Sequence, residues 1–214
     1  MEKVLIAGAT GTTGTHIINI LKNEADYTPI AMIRKPEQRE QFENKGISTV
    51  MADLTKEVSH ATKGIDKVIF AAGSKGQALE EVDKKGAMKL VDAAKKDRIK
   101  KFVMLSSLGA DAPQEAEELQ EYLQAKRDAD EYLDISGLDY TIVRPGSLNN
   151  DSPTGKIRAN EKLDNRQGEI PRGDVARVLV RSLQDHIAKR QVFEILNGEQ
   201  HIDEALHEIT LETA

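Results

Sequence analysis

Val4-Leu5-Ile6-Ala7-Gly8-Ala9-Thr10-Gly11-Thr12-Thr13-Gly14 runs directly into His16-Ile17-Ile18-Asn19-Ile20-Leu21, and this stretch decides the fold of the 214-residue chain. Val4 to Ala7 is a short apolar, partly β-branched run that suits a buried strand. The residues after Gly14 place apolar side chains at helical spacing. Between them stand three glycines, each three positions from the next. A diphosphate needs free backbone N–H groups at a helix N-terminus and no side chain in its way. Gly8 would allow the tight turn, Gly11 would let a phosphate approach the backbone, and Gly14 would let the helix lie close to the sheet. Thr10, Thr12 and Thr13 add hydroxyl donors. A glycine-rich turn can also be a plain connector, but this one sits between a strand and a helix, the context nucleotide binding requires.

Outward from that turn, short β-branched runs alternate with longer amphipathic segments. Strands are expected at 4–7, 29–33, 48–51, 67–71, 101–105, 140–143 and 192–195, and helices at about 13–23, 36–44, 78–97, 114–135 and 173–184. Residues 202–209 read as a short amphipathic helix closing the core. The fourth and fifth runs are almost wholly apolar, as parallel strands covered on both faces require. The alternation predicts an α/β fold with a doubly wound, Rossmann-type parallel sheet in three layers, α/β/α, and right-handed crossovers. Residues 1–214 are expected to form one domain. Segment 147–171 lacks clear periodicity and is rich in Asn, Asp, Gly and Pro, so it is expected to be a loop forming a short substrate lip.

The order Gly-x-x-Gly-x-x-Gly, written here as Gly8-Ala9-Thr10-Gly11-Thr12-Thr13-Gly14, resembles the extended and atypical branches of the short-chain dehydrogenase/reductase superfamily. In an NAD site an acidic residue closes the second strand and accepts the ribose hydroxyls. Here Ile30-Ala31-Met32-Ile33 ends in Arg34-Lys35. A carboxylate would repel a 2′-phosphate, whereas a guanidinium can pair with it bidentately. The expected cofactor is therefore NADP(H) in preference to NAD(H), with Arg34 as the discriminating residue; the alternative is a solvated basic turn. The resemblance implies that Asp53, followed by Leu54, contacts the adenine. Asp53 could equally be the N-cap of a following helix. Ala71, Ala72 and Gly73 end the fourth strand with side chains small enough for a dinucleotide to lie flat across them.

The same resemblance implies a Ser and a Tyr-x-x-x-Lys pair. Tyr122-Leu123-Gln124-Ala125-Lys126 supplies the pair, and residues four apart share a helix face. An ammonium there favours the phenolate, so Tyr122 reads as general acid and Lys126 as its modulator and ribose anchor. Ser107, after the fifth strand, would polarise a carbonyl. The competing reading is a tyrosine at the core edge of a highly charged helix. Asp83-x-x-Gly86 stands where the family usually has Asn-x-x-Gly. A carboxylate cannot donate unless protonated, so the proton relay of the full tetrad is not implied. Arg144-Pro145-Gly146 resembles the segment beside the nicotinamide ribose, which assigns Pro145 and Gly146 to the cofactor. Asp174 reads as a helix-start residue favoured by the dipole.

The totals exclude several classes. A net charge of −6 argues against nucleic acid, whose phosphates require a basic face. The chain has no cysteine, so disulfides, thiol catalysis and cysteine-held metals are ruled out. Its five histidines do not fall at ligand spacing, and no metal is expected. No apolar run approaches the ~20 residues of a membrane span, and no signal peptide is apparent, so the cytoplasm is the expected location. The helices around the fifth strand each have a single apolar stripe, needed by the sheet, which points to a monomer. The shortness of 147–171 favours a small or flat acceptor such as a simple carbonyl, quinone or flavin. Three functions follow: an NADP(H)-dependent oxidoreductase using Tyr122, a non-catalytic NADP(H)-sensing module, or a flavin-reductase-like enzyme without a tyrosine acid.

Overall fold

The computed structural model describes residues 1–74 and 76–211. The expected strands appear as β1 (Glu2–Ala7), β2 (Tyr27–Ile33), β3 (Ser48–Met51), β4 (Lys67–Phe70), β5 (Lys101–Leu105), β6 (Tyr140–Pro145) and β10 (Gln191–Asn197). They stand in the order β3-β2-β1-β4-β5-β6-β10, all parallel. β1 has β2 on one side and β4 on the other, so the winding reverses there. Sheets of this kind bind ligands in the crevice that such a reversal opens at the strands' carboxyl ends.

The period-2 alternation of β1 explains the two helical layers. Val4 and Ile6 face a core shared with Ile17, Ile18 and Leu21 of α1 (Thr12–Leu21) and with α5 (Arg172–Arg181) and α6 (Ile202–Leu211). Leu5 and Ala7 face the opposite core, built with Leu90 and Val91 of α3 (Lys85–Lys96) and Leu133 of α4 (Gln120–Asp134). Burying each such aliphatic side chain contributes about 1.5–3 kcal/mol.

Four expectations need correction. Segment 147–171 is not a bare loop. It holds β7 (Ser147–Asn149), β8 (Lys156–Asn160) and β9 (Glu169–Pro171); β7 and β9 form a small parallel pair. β8 joins the main sheet antiparallel to β10 and pairs on its other side with β11 (Gln200–His201), so the sheet is mixed rather than purely parallel. The signal was present: in Lys156-Ile157-Arg158-Ala159-Asn160 the apolar residues alternate with polar ones, and Ile157 is fully buried. Its charged face suits a strand near a sheet edge. Segment 78–97 begins as a turn of π-helix, Leu79–Lys84, before α3. Segment 114–135 is helical as α4 only from Gln120, after a 3-10 turn at Pro113–Glu115. Segment 36–44 splits into a 3-10 turn at Pro36–Gln38 and α2 (Glu40–Glu43).

At the far end of the strands, two buried lysines tie the turn that follows α5 to the sheet. Lys67 Nζ donates to the Leu183 carbonyl at 2.8 Å, and Lys101 Nζ donates to that of Gln184 at 2.8 Å. Burial pushes the Lys101 ammonium down to about 8. These cations lie opposite the crevice. No helix among the described residues is long and apolar enough to cross a membrane.

Candidate active site

The glycine turn has the geometry its sequence calls for. Gly8 has a φ of +89°, and a Cβ built on it would stand 2.5 Å from the Ala71 carbonyl oxygen. A Cβ on Gly14 would stand 2.1 Å from the Gly8 oxygen, so α1 packs on the turn itself rather than only on the sheet. Gly11 is the N-cap of α1 with extended backbone, and no side chain caps the helix. The N–H groups of a first helical turn have no partner within the helix. The turn is therefore a backbone cradle that side chains would fill, which fits a diphosphate.

A cleft of about 340 Å³ opens beside it. Gly8, Thr10 and Gly11 form one wall; Arg34, Asp53 and Leu54 form another; Ala71, Ala72 and Gly73 form the floor. Met32, Gln38, Ala52 and Val82 also line it. Gln38 was not anticipated: its Oε1 accepts the N–H groups of Arg34 and Lys35 at 2.8 and 2.9 Å and fixes that turn. The Arg34 guanidinium makes no ion pair or hydrogen bond among the described residues and faces solvent. Asp53 Oδ1 accepts both the N–H and the hydroxyl of Thr55. Burial opposes its ionisation, but these hydrogen bonds outweigh burial and hold its carboxyl below the ordinary range. No helix starts at Asp53, the next element being a 3-10 turn at Ser59–Thr62, so the helix-cap reading is not met; the carboxylate caps a local turn and lines the cleft. Thr12, Thr13 and Gly14 lie in α1 and do not line this cleft; Thr13 is buried.

A second cleft, of about 560 Å³, lies at the ends of β5 and β6. Ser107, Tyr122, Pro145 and Gly146 all line it. Among the described residues the Ser107 hydroxyl makes only a long 3.4 Å hydrogen bond, to the Leu108 carbonyl. Lys126 lies behind Tyr122, its ammonium 5.7 Å from the ring centroid. Its side chain is 5% exposed, and Nζ stands 3.5 Å from Oδ1 of Asp83, which is 1% exposed. Among the described residues that ammonium donates no hydrogen bond. Asp83 Oδ2 accepts the Ser74 N–H at 3.0 Å, just past the floor of the first cleft. The line from Ser74 through Asp83 and Lys126 to Tyr122 therefore joins the two clefts. Asp83 itself lines neither cleft. The π-helical turn that carries Asp83 is a feature often found at functional sites. Gly86, three residues on, lets α3 approach Leu54, whose Cβ would be 2.9 Å from a Cβ at that position.

Sequence reading missed a second buried network. Asp130 Oδ2 accepts the Ser106 hydroxyl at 2.8 Å and Arg144 Nε at 3.0 Å. Burial pushes the Asp130 carboxyl up to about 6, against the pull of the Arg144 guanidinium. The spacing Tyr122, Lys126, Asp130 places all three on one helix face, which was the available signal. Arg166 holds the outer wall: it binds Asp111 bidentately at 3.1 and 2.7 Å and also grips Glu194, which is fully buried. Nothing local in the sequence marks that triad. Asp174 opens α5 as expected, and its carboxylate also accepts the N–H groups of Thr154 and Gly155, both at 2.8 Å. No group of three or more acidic or histidine side chains among the described residues could hold a metal ion.

Comparison with known proteins agrees with this geometry. The profile of the NAD(P)H-binding family matches residues 8–186. A Bacillus subtilis protein called the uncharacterized sugar epimerase YhfK is 37% identical over 215 residues, covering 97% of this chain and 100% of its own. Sanguinarine reductase of Eschscholzia californica is 26% identical over 251 residues, covering 94% of this chain and 91% of its own. The crystal structure of the oxidoreductase ylbE of Lactococcus lactis matches with a TM-score of 0.86 at 34% identity, covering 98% of this chain and 97% of that one.

Proposed function

The chain belongs to the NAD(P)H-binding family, and from that premise we propose that it is an NADP(H)-dependent oxidoreductase that reduces a small carbonyl or related acceptor. The observation that carries this reading is the Lys126 ammonium: it is buried, paired with Asp83 and placed against the Tyr122 ring, yet it donates no hydrogen bond. An ammonium carries three donors, and none of these is committed to a hydrogen bond among the described residues. A ribose hydroxyl at this point would accept from them.

In this reading the cradle of Gly8, Thr10 and Gly11 takes the diphosphate, Arg34 takes the 2′-phosphate, and Asp53 with Leu54 borders the adenine. Pro145 and Gly146 border the nicotinamide end. When bound, the cofactor supplies a hydride to the acceptor carbon. The Ser107 hydroxyl, weakly engaged, donates to the acceptor oxygen. Tyr122 delivers the proton to that same oxygen, and Lys126 stabilises the phenolate left behind. Asp83 fixes Lys126 in place. The apolar residues of α3 and α4 are turned into the core, which favours a monomer acting on a small molecule.

Tyr122→Phe tests the assignment of the acid. NADPH consumption is followed at 340 nm against a panel of aldehydes, ketones and quinones, and NADPH affinity by calorimetry. Turnover should fall about 100-fold or more, with affinity unchanged. Undiminished turnover would remove the proton-donor role and leave an enzyme that only stacks two rings. No cofactor consumption by the unaltered protein with any acceptor, despite tight NADPH binding, would favour the sensing module.

A further inference from the structure

The second cleft carries a charge that the reaction proposed above does not use. Among the described residues no carboxylate lines it, although the chain has a net charge of −6; its only charged lining residues are Arg166 and Arg172. Arg166 is fully engaged by Asp111 and Glu194. Arg172 is not. Its guanidinium has one hydrogen bond, from Nη1 to Asn150 Oδ1 at 2.9 Å, and no ion pair among the described residues. The nearest candidate on its own helix, Asp174, is occupied by Thr154 and Gly155. The rest of the wall is partly apolar: Leu108, Leu119 and Leu148 line the same cleft, and Leu119 is 58% exposed. A large exposed leucine beside a half-buried, unpaired arginine describes a surface for an apolar body carrying one anionic group.

We propose that Arg172 is an anion-binding, specificity-determining residue, and that the acceptor is an amphipathic compound bearing a carboxylate or phosphate. A guanidinium with donors to spare can bind either anion through paired hydrogen bonds, and such charge-assisted bonds are about twice as strong as neutral ones. The cleft, at about 560 Å³, lies within the usual range for small-molecule sites. The inference deepens the oxidoreductase reading and rests on it for the acceptor's reactive end, which must reach Tyr122 and Ser107 in the same cleft.

The test separates the two readings. NADP⁺ is first titrated into the wild type and into Arg172→Gln by calorimetry. Then 2-naphthoate, 2-naphthyl phosphate and neutral 2-naphthamide are titrated into each protein, with and without saturating NADP⁺. In the wild type at least one anion should bind about tenfold or more tightly than the amide. Arg172→Gln should abolish that preference and Arg172→Lys retain part of it, while NADP⁺ affinity and thermal midpoint stay unchanged. The two anionic probes show whether carboxylate or phosphate is favoured. Equal binding of all three, no binding of any, or a preference that survives Arg172→Gln would overturn the assignment. Failure of NADP⁺ to bind would sink the cofactor reading alone, because the naphthyl series still reports on Arg172 in the apoprotein.

Discussion

Lys126 and Asp83 face each other at 3.5 Å with side chains 5% and 1% exposed, forming a buried ion pair between α4 and the π-helical turn before α3. It stands between the glycine-lined cleft and the one that holds Tyr122.

Removing the charge of Asp83 leaves the ammonium buried without compensation. Asp83→Asn should therefore destabilise the fold by about 3 kcal/mol, the scale seen when one partner of a buried pair is lost. Urea unfolding measures this directly, and a change under 1 kcal/mol would mean that the pair is open to water.

Arg34 is predicted to set the cofactor choice. Its guanidinium borders the first cleft without a protein partner, on a turn fixed by Gln38. Arg34→Ala should weaken NADPH binding about tenfold or more and leave NADH binding nearly unchanged. Equal losses for both nucleotides, or equal affinities in the wild type, would show that it does not read the 2′-phosphate.

Gly14 and Gly46 make a matched comparison. Alanine usually favours a helix over glycine by about 1 kcal/mol, yet at position 14 its Cβ would collide with the Gly8 oxygen. Gly14→Ala should cost about 3 kcal/mol and lower NADP⁺ affinity. Gly46 has a φ of +74° and open space around it, so Gly46→Ala should cost only about 1–2 kcal/mol and leave binding alone. Equal effects would remove the special role of the turn.

Asp130 should tie stability to pH. Its carboxyl moves from an ordinary 3.8 to about 6 on folding, because burial favours the neutral form. The folded state thus holds this proton more tightly. The associated stability is complete below 3.8 and lost as pH rises through 6. Relative to Asp130→Asn, the wild type should lose roughly 2–3 kcal/mol between pH 4 and pH 7. A difference that stays flat, or rises with pH, would show that Arg144 keeps the carboxylate ionised throughout.

Light scattering should return a single-chain mass at all concentrations. Leu90, Val91 and Leu133, which a helix-bundle dimer would need, are buried in the chain's own core. A dimer that persists on dilution would overturn the monomer reading.

The parts legible in the sequence share one property: their cause is local. Gly8, Gly11 and Gly14 are dictated by a turn a few residues long, the runs at β1, β4 and β5 by burial on both faces, and Arg34 by its place after β2. Tyr122 and Lys126 were legible because one helical turn joins them. β8 was missed because its alternation spans five residues and breaks no pattern around it. The pairing of Asp83 with Lys126 was not legible, since the orientation of Asp83 depends on the π-helical register before α3.

What the sequence determined by itself was the winding of the sheet and the cradle at its reversal, because backbone periodicity and glycine sterics act over neighbouring residues. Tertiary structure alone decided which charges meet. Lys126 with Asp83, Arg144 with Asp130, and Arg166 with Asp111 and Glu194 are brought together by crossovers between separate elements, and burial then makes each pairing matter. Arg172 has no carboxylate partner among the described residues, a property that no segment of the chain reveals by itself.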